Sequence, residues 1–350
     1  MRFDRRHILA LAGGAIAAPA VLRVTRANAQ EVSLRLHHFL PPVANAQTRF
    51  LKPWADKVAA ESGGRIKITI FPSMQLGGTP PQLYDQARDG VVDLIWTLPG
   101  YTPGRFTGTE AFELPFVANK SALSNSLAIA EYAGQHLQDE YKEVRPICIW
   151  AHDPGVIHAN RQVRTMEDLK GLKLRFPTRL AGEALRALGA NAIGMPVPQV
   201  PESLAQRVID GCVIPWEVVP SIKVQELVKY HTEIPGSPTF YSATFVLAMN
   251  RAKYDALPAE LKAVIDSNSG AAAAAMAGKA WDEQAVAVSG MVRKRGNIIT
   301  QLDEAEVARW RKVTEPVIEG WLKAAKEKGL DGEKLLASAK AALAKYENAA

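Results

Sequence analysis

Apolar and polar residues alternate along residues 32–38 and again along residues 65–71, the two-residue period of a strand with one buried face. Between them, residues 45–62 carry apolar positions at helical spacing and stop at Gly63-Gly64. Residues 80–89 read as a second helix ended by Gly90. Residues 91–96 read as a strand apolar enough to lie centrally in a parallel sheet. This β-α-β-α-β order predicts a doubly wound α/β lobe with its ligand chemistry in the loops after the strands' carboxyl ends. A helical stretch over 121–142 leads to a strand over 144–152, and the logic then restarts. Residues 172–175 form a strand, 178–188 a helix, 192–195 a strand and 200–209 a helix. Two further strand-like runs, 230–235 and 241–250, are expected to cross between lobes. From Pro258 onward the chain reads as nearly all helical, through the Ala-rich run 271–277 and helices over 305–328 and 332–349.

The N-terminus changes the question asked of the rest. Asp4-Arg5-Arg6-His7-Ile8-Leu9 is a charged segment with a twin arginine, followed by an apolar stretch over 8–22 too short to span a bilayer as a stable helix. Ala27-Asn28-Ala29 is a small-x-small cleavage pattern, so residues 1–29 are expected to be an export signal of twin-arginine type, with the mature, periplasmic protein starting at Gln30. The leader holds five arginines against Asp4. Of the formal charge of +6 over 350 residues, only +2 therefore belongs to the mature chain, which removes any argument for nucleic acid. A mature chain of about 320 residues exceeds the size at which one core keeps growing, so two lobes are expected. Lobe I is assigned residues 30–155 plus 241–280, and lobe II residues 156–240 plus 281–350. Cys148 and Cys212 read as isolated buried thiols, without zinc spacing around either.

Candidate chemistry centres on Asp168-Leu169-Lys170-Gly171-Leu172-Lys173-Leu174-Arg175-Phe176-Pro177. It places Arg175 at the carboxyl end of a strand, where a guanidinium can grip a carboxylate through two parallel hydrogen bonds. By position alone, a salt-bridged arginine reads equally well. Leu188-Gly189-Ala190, Met195-Pro196 and a helix ending at Asp210-Gly211 follow. Upstream stand Phe71-Pro72-Ser73-Met74-Gln75-Leu76-Gly77-Gly78 and Asp89-Gly90-Val91-Val92-Asp93. In this order and spacing the set resembles the DctP-type solute receptors of tripartite ATP-independent periplasmic (TRAP) transporters.

The resemblance implies a two-lobe fold of periplasmic-binding-protein type, with crossing strands, a long helix spanning both lobes and a helical C-terminus. It implies that Arg175 binds the ligand's carboxylate, and that a small and a large membrane permease subunit receive the ligand. Arg161 matches a second arginine used by some members, or is a solvated surface residue. Sugar-acid-binding members carry Gln-Glu-Asn where this chain has Cys212-Val213-Ile214, and Trp96, Leu98 and Tyr101 replace a polar contact region. If these side chains face the cleft, each unpaired hydroxyl of a sugar acid would cost roughly 1–3 kcal/mol. An apolar body would instead gain about 25 cal/mol per Å² buried. The expected ligand is thus a monocarboxylate with an apolar body, of the aromatic, 2-oxo or hydroxy kind.

Val197, Ile214, Trp216, Tyr241 and Phe39 are further wall candidates, and Glu217 is a candidate cation ligand because keto-acid-binding relatives use a Trp-Glu pair nearby. The alternative reading is plain core for Trp96 and Leu98. No catalytic triad, phosphate loop or metal-binding motif is legible and no cofactor is expected. The rival function is an exported α/β hydrolase or lyase acting on an acidic substrate, or a binding protein coupled to an ABC transporter or sensor. Oligomeric state is open between monomer and homodimer.

Overall fold

The computed structural model describes residues 31–349; the expected export signal lies outside them. Two sheets organise the chain. The first contains β1 (Val32–His37), β2 (Ile66–Phe71), β3 (Leu94–Thr97), β4 (Val144–Ala151) and β10 (Thr244–Asn250) in the order β2-β1-β3-β10-β4. The second contains β5 (Val156–Ala159), β6 (Lys173–Phe176), β7 (Asn191–Gly194), β8 (Gly211–Ile214), β9 (Tyr230–Glu233) and β11 (Ile298–Gln301) in the order β11-β9-β5-β8-β6-β7. β1 pairs in parallel with β2 and β3, and β6 in parallel with β7 and β8. β10 runs antiparallel to both β3 and β4. The chain crosses between sheets from β4 to β5, back from β9 to β10 where the two late strand-like runs were expected to cross, and over again to β11.

Helices α1 (Lys52–Glu61), α2 (Leu83–Arg88) and α3 (Ala122–His136) accompany the first sheet, and α4 (Arg179–Ala187), α5 (Val200–Ala205) and α6 (Val224–Leu227) the second. Then follow α7 (Arg251–Asp255), α8 (Ala259–Ser267), the long α9 (Ala271–Lys294), α10 (Glu304–Glu327) and α11 (Gly332–Lys345). α9 packs on α3 and β4 and also on the turn Trp216–Val218 that follows β8, so it ties the two halves together. Its small residues permit this closeness: a Cβ on Gly278 would lie 2.6 Å from the Leu123 Cα. α10 packs on α4, and α11 returns to α3. Among the described residues no helix is long and apolar enough to cross a membrane.

Several elements are shorter than their sequence pattern. β3 begins at Leu94, because the amides of Val91 and Val92 close the preceding helix onto Gln86 O. α3 stops at His136; the Glu140 carboxylate beyond it accepts the Gly108 and Thr109 amides at 3.0 Å. α5 stops at Ala205, where Arg207 takes a left-handed φ of 58°. β5, β8 and β11 went unpredicted; four residues are too few to display a period, and β11 corrects the all-helical reading after Pro258. Cys148 and Cys212 are both buried free thiols.

Polar contacts stitch the seam between the sheets. Arg179, opening α4, donates through Nε and Nη2 to the two oxygens of buried Glu110 at 3.2 and 2.6 Å. Nearby, Glu113 is fully enclosed and accepts the amide and hydroxyl of Thr244 at 3.0 and 2.6 Å. Burial pushes its pKa up to about 7. A carboxyl raised on folding stabilises the fold fully below its unfolded pKa of about 4.3 and loses that contribution as pH rises through 7. Glu113→Gln keeps the acceptor for Thr244 without a charge. Its melting temperature relative to the parent should therefore climb between pH 5 and pH 8; a difference independent of pH would show that Glu113 does not titrate there.

Candidate ligand-binding site

The carboxyl ends of β1, β3, β4, β6, β7 and β8 and the beginning of β10 meet around one partly open cavity. Phe39 follows β1, Trp96 lies in β3 with Leu98 and Tyr101 just beyond it, and His152 follows β4. Across the seam stand Arg175 of β6, Val197 after β7, Ile214 ending β8, and Glu217 in the turn after it. Tyr241 and Ala243 just precede β10 and Phe245 lies at its start, which faces the same edge because that strand runs antiparallel. Two sheets thus deliver their strand ends to one space, the placement expected of open parallel sheets.

Arg175 is 1% exposed. Its Nε donates to Met195 O at 2.8 Å and its Nη1 to Val213 O at 3.3 Å, carbonyls contributed from either side of β6. Nη2 is buried with no hydrogen-bond partner, and among the described residues no acidic side chain forms an ion pair with Arg175. A guanidinium in this state is costly unless an anion arrives, since burial removes water without supplying a counter-charge. The backbone carbonyls fix its plane and leave one edge free.

The walls are aromatic. Phe39 stacks on Trp96 with centroids 4.8 Å apart, meets Tyr101 edge-on at 5.6 Å, and Phe245 tilts against Trp96 at 5.6 Å. Tyr101 Oη accepts the Val197 amide at 3.0 Å, a bond across the seam inside the wall. Burial raises the pKa of Tyr101 and, more strongly, of Tyr241, so both phenols are neutral. His152 has both ring nitrogens committed: Nε2 accepts the Ala243 amide at 2.8 Å, so Nδ1 carries the proton toward Asp153 O. Burial pushes its pKa down to about 4. Glu217 is buried, and its pKa is raised well above the carboxylate range by burial and by the neighbouring Asp153.

Of the residues singled out in the sequence, Arg175, Trp96, Leu98, Tyr101, Val197, Ile214, Tyr241, Phe39 and Glu217 line this cavity. Two do not. Arg161 is exposed, and its Nη2 bonds the carbonyls of Asp168 and Lys170 at 2.7 and 2.9 Å, closing the turn before β6. Trp216 turns away from the cavity, donates to Glu233 at 3.0 Å and packs against His158 and His231. As for a cation at Glu217, no group of three His, Cys, Asp or Glu side chains that could hold a metal ion occurs among the described residues. Sequence reasoning missed His152 and Phe245, along with Leu40, Pro177, Val218 and Ala243. The ends of the strands over 144–152 and 241–250 were the available signal.

The model of the family "bacterial extracellular solute-binding protein, family 7" (DctP) matches residues 37–325. A TRAP solute binding protein of an unidentified marine-metagenome microbe, specific for aromatic acid ligands and solved with 3-hydroxybenzoate, is 45% identical. It has a TM-score of 0.89, with 91% of this chain and 100% of that one covered. One from Rhodoferax ferrireducens, with copurified benzoate, is 43% identical with a TM-score of 0.88 and coverages of 91% and 99%. One from Bordetella bronchiseptica, with bound (R)- and (S)-mandelate, is 32% identical with a TM-score of 0.83 and coverages of 90% and 99%. With most of its length inside the family model, the chain belongs to the DctP family of bacterial extracellular solute-binding proteins.

Proposed function

We propose that this chain is a periplasmic receptor, exported with cleavage after Ala29, that binds an aromatic monocarboxylate between its halves and delivers it to a TRAP permease. The observation that carries the reading is Arg175: a buried guanidinium with Nη2 unpaired, in a cavity walled mostly by aromatic and aliphatic side chains. A carboxylate supplies the missing partner in the two-point geometry guanidinium favours. A ligand ring with on the order of 100 Å² of apolar surface then gains about 2.5 kcal/mol from burial against the walls. The hydroxyls of a sugar acid would find few partners there. The aromatic acids held by the three solved relatives support the same ligand class. The two jaws are residues 30–155 plus 241–280 and residues 156–240 plus 281–350, with α11 reaching back onto α3. Binding alone is required, so the protein acts without catalysis; both ring nitrogens of His152 are committed to hydrogen bonds.

Thermal melts against benzoate, 3-hydroxybenzoate, mandelate and galactonate test this. Ligand at a hundred times its Kd adds about 2.7 kcal/mol to stability, which for a chain of this size raises Tm by about 5 °C. Aromatic acids should produce that shift and galactonate none. Stabilisation by galactonate alone would overturn the assignment.

A further inference from the structure

Among the described residues, Phe39 alone lines both the ligand cavity and a wider groove that lies beside it and opens to solvent. The groove draws on both halves, with Met74 and Pro80 from one and Pro198 and Ile222 from the other, and its lining is largely apolar. Opposite Phe39 the second half supplies Val197, which faces the cavity while Pro196 and Pro198 on either side of it line the groove. Phe39 is a fixed wall. It is 3% exposed, stacked on Trp96 and edge-on to Tyr101. The backbone on either side of it is tied to the turn at Ser73-Met74: His38 O accepts the Met74 amide at 3.0 Å, and Leu40 O accepts the Ser73 amide at 3.0 Å. Behind Trp96, by contrast, stands another buried ring, that of Trp150 at 6.3 Å.

We propose that Phe39 is the specificity-determining residue for ligand length: it closes the cavity behind one aromatic ring and excludes acids that carry a second ring. The assignment rests on the aromatic-acid function proposed above and adds an upper size limit to it. Arg175 and Phe39 stand on opposite halves, so an acid anchored at the guanidinium meets Phe39 as it grows across the seam. Atoms added beyond the space available push packed side chains off their rotamers, at a cost equivalent to about 10-fold or more in affinity. Shortening Phe39 joins the cavity to the groove, where apolar side chains can cover the added ring.

Calorimetric titration of the wild-type chain, Phe39→Ala and Phe39→Leu with benzoate, biphenyl-3-carboxylate and biphenyl-4-carboxylate tests the assignment. The wild type should prefer benzoate to both biphenyl acids by about 10-fold or more. Phe39→Ala should lower that preference by about 10-fold for at least one of them, and Phe39→Leu by about 3-fold. The ratio is the readout, because a variant that only loosens the fold weakens all three acids alike. Phe39→Leu keeps an apolar side chain against Trp96 and carries the test if Phe39→Ala does not fold. A wild type that binds either biphenyl acid as well as benzoate, or a preference unchanged in the folded variants, would overturn the role of Phe39. Failure of the wild type to bind benzoate would bring down the function proposed above, and the length limit with it.

Discussion

Arg175→Met should lower the affinity for benzoate by at least about 30-fold while leaving the unliganded protein folded. The loss follows from removing one member of a buried, hydrogen-bonded charge pair, which costs about 2–5 kcal/mol, and 2 kcal/mol corresponds to about 30-fold. Stability should change little, for opposing reasons. The variant leaves Met195 O and Val213 O without their donor, which destabilises. It also removes a buried charge that has no counter-ion until ligand arrives, which stabilises. Methionine fills much of the same volume, so no large void compounds the loss. Arg175→Lys should fall between the two, because an ammonium restores charge without holding both carbonyls and the ligand in one plane. Isothermal titration and thermal melts of the three proteins are the measurement. Unchanged benzoate affinity in Arg175→Met would remove the anchor from the account.

Why Arg175 was legible and Arg161 was not is a matter of what each guanidinium finds within reach. A strand read from residues 172–175 and halted by Phe176-Pro177 puts its last side chain at the sheet edge where ligands sit; position alone allowed a salt-bridged arginine equally well, and the resemblance to DctP-type receptors supplied the carboxylate role. Arg161 stands just as close to a motif, but its nearest acceptors are the carbonyls of Asp168 and Lys170, made available by a turn whose geometry no periodicity reports. Trp216 and Glu217 make the same point at a distance of one residue. The turn after β8 sends neighbouring side chains to different places, one toward His158 and His231 and the other into the cavity lining. Trp96 and Leu98 came from the family resemblance, as apolar replacements in the contact region after the third strand. Phe245 went unread, because β10 is antiparallel and presents its beginning, where a rule about carboxyl ends does not look.

Gly155→Ala should abolish ligand binding and destabilise the fold, although nothing around Gly155 in the sequence marks it as part of the site. Gly155 lies between β4 and β5, where the chain passes from one sheet to the other, and its amide donates to Tyr241 O at 2.9 Å. A Cβ there would sit 1.9 Å from Tyr241 Cδ1 and 2.4 Å from Cε1, far inside contact distance. Glycine is required by this close approach; no left-handed φ is involved. Tyr241 is buried and meets the edge of His152 at 5.0 Å, so the open volume beside the ring is the ligand cavity itself. The added methyl therefore drives the phenol into the space meant for the ligand or parts the crossing segments, and overpacking of this kind costs about 1–3 kcal/mol. The double variant Gly155→Ala/Tyr241→Ala separates the two causes. With the ring gone the methyl has room, so the combined stability loss should fall short of the sum of the single losses by about 1 kcal/mol or more. Strictly additive losses in chemical denaturation would mean that Gly155 acts through the backbone and not through Tyr241.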